Sequence, residues 1–442
     1  MSMINSFVDI FKLPELRRRV LYTLGILAAF RVGVAIPVPG VDTVALQAFF
    51  KTQSQTLFGF LDMFSGGALS RFAIFSLGVM PYINASIIMS LLQTIIPYLE
   101  KLSKEGDAGR QKISQITRYG TVVMAIIQAF GLSVMMMNMR SPDGRSVVID
   151  PSLGFQLITI LTLVTGTLFV MWLGEQITEY GIGNGISLII CIGIVDQLLP
   201  AIRNLTRLVA VQEISFLQML ILVVLVVAIV GFVVWVETAQ RRIPVQYAKR
   251  MVGNKVYGGQ NTYLPIRVDQ AGVIAVIFAI SLLSAPLTVA QFFPNTVWGK
   301  VIMDWWGRGS FVYELFYAAL IIFFCYFYTS IILDPVKLAD DMKKWGGFIP
   351  GIRPGDATAK YIERILNRLV LGGALFVAFI AILPDVLRNV LKAPFFFGGT
   401  SVLIVVGVAL DTLGQLESHL IMRHYEGFMK KGRIRGRWFN IK

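Results

Sequence analysis

Ten separate apolar runs constrain this chain more than any other feature: residues 20–36, 75–96, 120–137, 155–173, 182–199, 216–236, 271–292, 311–333, 369–387 and 395–413. A helix needs roughly 20 mostly apolar residues to cross the hydrocarbon core of a bilayer. In lipid every backbone N–H and C=O must find its partner inside the protein, which leaves helices or closed barrels. Barrel strands would alternate apolar and polar side chains over roughly 10 residues, whereas these runs are continuous. The fold class that follows is an all-α integral membrane protein with ten transmembrane helices. Of the 442 residues 55% are hydrophobic and 15% charged, too much apolar surface for a soluble domain to hide. The N-terminus carries Lys12, Arg17, Arg18 and Arg19 but no short apolar stretch with a small-residue cleavage site, so no removable signal peptide is expected.

Orientation follows from where the cations lie. Of 40 Lys and Arg, 29 fall in the N-terminal segment, in connections 100–119, 174–181, 237–270 and 334–368, and in the tail from 414; nine fall in the alternate connections. Positive charge marks the cytoplasmic side, so both termini are expected there. The domains expected are a cytoplasmic segment 1–19, a first half 20–199 with spans one to five, a second half 213–413 with spans six to ten, and a basic cytoplasmic tail 414–442. Loops 237–270 and 334–368 are long and rich in turn residues. Alternation over 255–265 predicts a β-hairpin, and structured loops of this length usually bind something.

Two segments break the pattern. Residues 57–74 are too polar to span and too apolar for an ordinary loop. A Gly66-Gly67 pair and Arg71 inside it suggest a re-entrant half-helix folded into protein or a water-filled cavity, or else an amphipathic helix lying on the outer membrane surface. Gly78 and Pro81 fall inside span two, where an interior proline favours a kink.

Several chemistries are missing. No G-x-x-x-x-G-K-[ST] is present, and Gly181-Ile182-Gly183-Asn184-Gly185 lacks the lysine and preceding strand of a phosphate loop, reading instead as a helix start. His419 and His424 have no ligand set around them, and Cys191 and Cys325 read as buried thiols. No enzyme, metal or cofactor is expected. The alternative of a secondary transporter asks for ionisable groups near the bilayer midplane. Asp196, Asp385 and Asp411 instead lie within a turn of a run's end, and Glu175 and Glu179 at the cytoplasmic end of span four. Arg31 is deeper, placed to snorkel or to pair with a neighbouring span. Val79 with Ile83, and Ile186 with Ile190, are each four apart and share a helix face. Spacing alone leaves open whether they pack a core or form a stiff apolar constriction.

The runs Met63-Phe64-Ser65-Gly66-Gly67-Ala68-Leu69-Ser70-Arg71, Met80-Pro81-Tyr82-Ile83, Gly174-Glu175-Gln176-Ile177-Thr178-Glu179, Gly181-Ile182-Gly183-Asn184-Gly185 and Gly347-Phe348-Ile349-Pro350-Gly351-Ile352-Arg353-Pro354-Gly355 closely resemble the SecY family of protein-conducting channels. The resemblance runs from about Pro14 to the tail. It implies two pseudosymmetric inverted halves around an hourglass pore in the bacterial plasma membrane, passing unfolded secretory chains across and releasing transmembrane segments into lipid. It places a pore ring on Val79, Ile83, Ile186, Ile190, Ile277 and Ile404, and a plug on 57–74 with Phe64, Ser65, Gly66, Gly67, Ser70 and Arg71. The polar cluster of a lateral gate falls on Asn84, Gln128 and Ser281. Arg241, Arg242, Lys249, Arg250, Lys255 and Arg353 would dock the SecA motor or the ribosome. SecE and SecG are the implied partner subunits, and signal sequences and nascent chains the implied cargo. One departure is Ala275, where the family often has proline, which removes any proline-defined bend at the start of span seven.

Overall fold

A computed structural model describes residues 14–52, 62, 65–139, 145–212, 215–247, 250–252, 255–257, 261–292, 311–391 and 399–431. The first half contains α1 (Pro14–Val34), α2 (Thr43–Thr52), α3 (Met80–Ile95), α4 (Pro97–Lys104), α5 (Asp107–Asn138), α6 (Leu153–Tyr180), α7 (Gly185–Asp196) and α8 (Leu198–Ala210). The second half contains α9 (Phe216–Glu237), α10 (Gly272–Phe292), α11 (Phe311–Ile332), α12 (Pro335–Lys344), α13 (Asp356–Leu391) and α14 (Gly399–Lys431). Each of the ten apolar runs contributes a helix. Seven described helices are long and apolar enough to cross a membrane, and α3 with α4 makes an eighth if that bent pair is one span. The remaining two, α1 and α10, are 21 residues each. In α1 the apolar stretch is diluted by Arg17, Arg18, Arg19 and Arg31.

Pro81 does not kink span two. The helix begins at Met80 and Pro81 sits in its first turn, where the missing N–H has no intrahelical acceptor to lose. The break comes later: Ile96, extended before Pro97, turns the chain by 99° into α4. Span seven runs on from Gly272 with Ala275 fully buried, in a helix that carries its proline at Pro286.

Helices in lipid gain little from excluding water, so they pack by close approach of small residues. The glycine repeat at the start of span five is such a place. A Cβ on Gly185 would stand 1.9 Å from the Gly174 carbonyl oxygen of α6. Asn184 caps α7, accepting from the N–H groups of Ile186 and Ser187.

Within the first half α3 packs on α5, α5 on α6, and α1 on both α6 and α7; within the second α10 packs on α11, α11 on α13 and α13 on α14. The principal contacts between the halves form two seams, α10 against α3 and α5, and α14 against α7.

In the connection between α9 and α10 the hairpin is longer than the sequence alternation suggests. β1 (Gln240–Tyr247) pairs antiparallel with β4 (Asn261–Arg267), Ile243 opposite Leu264, and β2 (Arg250–Val252) with β3 (Lys255–Tyr257) extends it. The free edge of β1 takes β5 (Gly347–Phe348), so the two long loops share one three-stranded sheet in the order β4-β1-β5. Ile243, Val245 and Ile266 bury against Met342, Ile349, Ile362 and Leu366 beneath it.

Candidate functional site

Five of the six aliphatic residues are buried in one continuous apolar cluster: Val79, just before α3, Ile83 on α3, Ile190 on α7, Ile277 on α10 and Ile404 on α14. Ile186, on α7 and half-buried, packs against the same cluster. The set draws on both halves and on both seams. None of the six carries a hydrogen-bonding side chain.

Against this cluster lies the segment from Asp62 to Val79. Ala68, Ala73 and Phe75 belong to the same cluster as the six, and Ser65 and Leu69 are also buried, which rules out a helix lying on the membrane surface. From Ser65 onward the described backbone is a succession of turns, with Asp62 helical; 57–61 and 63–64, including Phe64, lie outside the described residues. The turns are tied internally. Ser70 N–H donates to Asp62 Oδ1 at 2.7 Å, Gly67 N–H to the Asp62 carbonyl at 2.8 Å, and Ser76 Oγ to the Ala68 carbonyl at 3.0 Å. The outgoing chain is held by Val38 N–H to the Phe72 carbonyl and Ile74 N–H to the Ile36 carbonyl. Arg71 is exposed. Burial pushes the Asp62 carboxyl above its ordinary value, against the hydrogen bonds from Ser70 and Leu69 and the pull of Arg71.

Asn84 on α3 and Gln128 on α5 are half-buried and Ser281 on α10 is buried, so the three stand on the helices that form the first seam. Arg241 and Arg242 are exposed on β1, and Arg353 is exposed in the turn after β5. Arg250 lies opposite Tyr257 and Lys255 opposite Val252 in the outer hairpin; Lys249 lies outside the described residues. Arg31 pairs with Asp196 of the neighbouring α7, the second of the two options its depth in span one left open.

The SecY family model matches residues 73–413. The chain belongs to the SecY family. It is 48% identical over 427 residues to the protein translocase subunit SecY of Escherichia coli (strain K12), with 96% of each chain covered. Among solved structures it is similar to one described by the statement that the plug domain of the SecY protein stabilizes the closed state of the translocation channel and maintains a membrane seal. That match has TM-score 0.65, 18% identity, and covers 95% of this chain and 97% of that one. It is similar also to Sec61 in the canine ribosome-channel complex from the endoplasmic reticulum, with TM-score 0.62, 17% identity, and 95% and 97% covered.

Sequence reasoning missed one polar feature. A cavity of about 630 Å³ opens between the halves, lined by Asn184 and Ser187 of α7 and by Glu237, Asp269 and Asp411, and it reaches Ile277. Asp269 is buried; its Oδ1 accepts from Gly272 N–H at 2.7 Å, and its charge acts on the neighbouring carboxyl of Glu237. Burial pushes the Asp269 carboxyl upward. The available signal was an acidic residue three positions before a glycine that opens an apolar run.

Proposed function

We propose that this chain is the channel-forming subunit of a bacterial plasma-membrane protein translocase, lying with both termini in the cytoplasm. The reading is supported by three features that share one apolar cluster. A polar-lined cavity between the halves reaches Ile277, the six aliphatic residues lie in or against the apolar cluster that contains it, and Ala68, Ala73 and Phe75 of the segment ending at Val79 belong to the same cluster. A stiff ring of aliphatic side chains resists ions by dewetting and offers a passing chain no strong hydrogen bond. The segment 57–74 acts as the plug. The α10 seam, with Asn84, Gln128 and Ser281, acts as the lateral gate. A signal sequence, whose apolar core is roughly 7–15 residues, is stabilised where the gate meets lipid and biases the open state by differential binding.

The work comes from outside. SecA or the ribosome docks on the β1–β4 sheet and on Arg353, or the membrane potential drives the chain, while SecE and SecG complete the assembly. The relative solved in a ribosome-channel complex supports the ribosomal part, and RNA phosphates favour Arg241, Arg242, Lys249, Arg250 and Lys255. The test is site-specific crosslinking from positions 83, 190 and 404 to a stalled secretory chain. Adducts at these positions are expected; a translocating chain that contacts none of them overturns the pore assignment.

A further inference from the structure

We propose that Arg31 is the latch that holds the plug shut, joining span one, span five and the plug through one guanidinium. This rests on reading 57–74 as the plug. Nη1 of Arg31 donates to the carbonyl of Gly66 at 3.0 Å and lies 3.2 Å from Asp196 Oδ2, while Nη2 donates to the carbonyl of Ile192.

The two sets of partners differ in kind. Ile192 and Asp196 belong to the C-terminal end of α7, where the carbonyl end of the helix dipole and the carboxylate both favour a cation. They keep the guanidinium in place whether or not the plug is docked. A charge at this depth must be partnered, so α7 supplies its resting site and leaves Nη1 pointing at the plug. Gly66 contributes the plug's hydrogen bond to this guanidinium, through a backbone carbonyl, and that bond holds against the like charge of Arg71 on the same segment.

The plug chain is shaped to reach it. Gly66 has φ +70°, and a Cβ built there would stand 3.1 Å from the Gly193 Cα and 3.3 Å from Arg31 Nη1. The plug therefore meets α7 backbone to backbone, two glycines in contact, with the arginine beside them. A planar fork can hold a carbonyl on one element and a helix end on another at once; a lysine ammonium on its flexible stem cannot match that geometry. Release costs one charge-assisted hydrogen bond, and the freed donor then faces the opened funnel. The latch is strong enough to bias the plug and weak enough to open.

The test uses the complete translocase complex in proteoliposomes, with Cys191→Ala, Cys325→Ala and Ser70→Cys as a reporter of plug release. Two readouts are taken: labelling of position 70 by a membrane-impermeant maleimide, and ion efflux without substrate. Loss of a charged hydrogen bond predicts about a tenfold rise in both for Arg31→Met. Arg31→Lys should fall between it and the parent. Asp196→Asn should do much less, because the Gly66 acceptor survives. Labelling at the parental rate in Arg31→Met overturns the latch. If that variant does not accumulate in membranes, parental labelling in Arg31→Lys overturns it instead. A deletion of 62–71 separates the two claims. Efflux from the deletion with none from Arg31→Met sinks the latch and leaves the plug, whereas no efflux from the deletion sinks the plug reading itself.

Discussion

Gly66 and Gly67 are adjacent, both in the left-handed region, and differ in one respect that makes a quantitative prediction. At Gly67, with φ +82°, a Cβ would meet nothing within 4 Å, whereas at Gly66 the Gly193 Cα and the Arg31 guanidinium would stand at 3.1 and 3.3 Å from it. An L-residue in this conformation costs about 1–2 kcal/mol. Gly67→Ala should show only that cost. Gly66→Ala adds the displacement of a backbone by a few tenths of an ångström and a weakened Arg31 hydrogen bond, about 1 kcal/mol more. Both costs fall on the docked plug, since a released plug is free of these neighbours and of this φ. One to two kcal/mol shifts a two-state ratio by roughly 5–30-fold. Resting conductance of the reconstituted channel in planar bilayers should therefore rise several-fold for Gly67→Ala and clearly further for Gly66→Ala. Thermal unfolding in detergent, dominated by the helices, should barely move. Equal leak from the two variants would refute the contact argument; no leak from either would refute the docked plug.

Replacing Ile190 by Asn buries an amide among aliphatic groups at a cost of about 1–3 kcal/mol, so ion leak should rise by an order of magnitude or more, while Ile190→Leu should stay near the parent in the same flux assay. Asp62, raised by burial, gives a pH signature. A carboxyl whose docked pKa exceeds its undocked one favours docking when protonated, so docking weakens as pH climbs from the ordinary carboxylate range through the raised value. Leak should fall on acidification of the outer side, and Asp62→Asn, which still accepts from Ser70, should abolish that dependence. Reversing Arg242 or Arg353 to Glu should impair SecA- or ribosome-driven transport with membrane insertion intact; unchanged transport in both would mean the loops serve topology alone. Asp269→Ala leaves the Gly272 N–H without its acceptor, worth about 1–3 kcal/mol, and should lower transport while motor binding, measured by sedimentation, persists.

What could be read from the chain was whatever depends on period and run length. Ten continuous apolar runs have one solution in lipid, and all ten became helices. The start of α7 was equally legible, because Asn184 before an apolar run is local cap chemistry. Pro81 misled because proline has opposite meanings at the first turn and the interior, and the deciding fact, that residues 65–79 fold as turns, lies in tertiary packing. The hairpin was found but misplaced. Its long strands β1 and β4 are separated by an inner hairpin, and alternation across Lys255–Tyr257 and Asn261–Arg267 blurred two strands into one. The pairing of β5 with β1 joins residues about a hundred apart and left no local trace. The aliphatic set could not be told from ordinary packing by spacing. The family resemblance proposed it, and only the cluster common to both halves gives it a place in space. The same holds for Arg31, whose three partners come from two segments far along the chain.

The sheet connects the proposed docking residues to the membrane helices. β1 begins three residues after α9 ends and β4 ends five residues before α10 begins, so neither joint leaves slack for a load to be absorbed. At the root of the hairpin Asp269 accepts from the first N–H of α10, and Glu237 at the end of α9 lines the same cavity. β5, on the other edge of β1, carries the chain through the Arg353 turn into α13. A partner gripping Arg241, Arg242 and Arg353 thus holds the cytoplasmic ends of α9, α10 and α13 together. Of these, α10 lies in the seam with α3 and α5 and contributes Ile277. Movement of the sheet relative to the first half has to be taken up at the two seams, this one and that of α14 with α7, because the sheet's own core of Ile243, Val245, Ile266 and Ile362 belongs to the second half. A rigid tilt of the second half would draw Ile277 and Ile404 away from Ile83 and Ile190, so under the proposed function opening of the gate and widening of the ring would be one motion. Under the proposed latch, the segment tied to α7 through Arg31 would stay on the first half until its own hydrogen bond gives way.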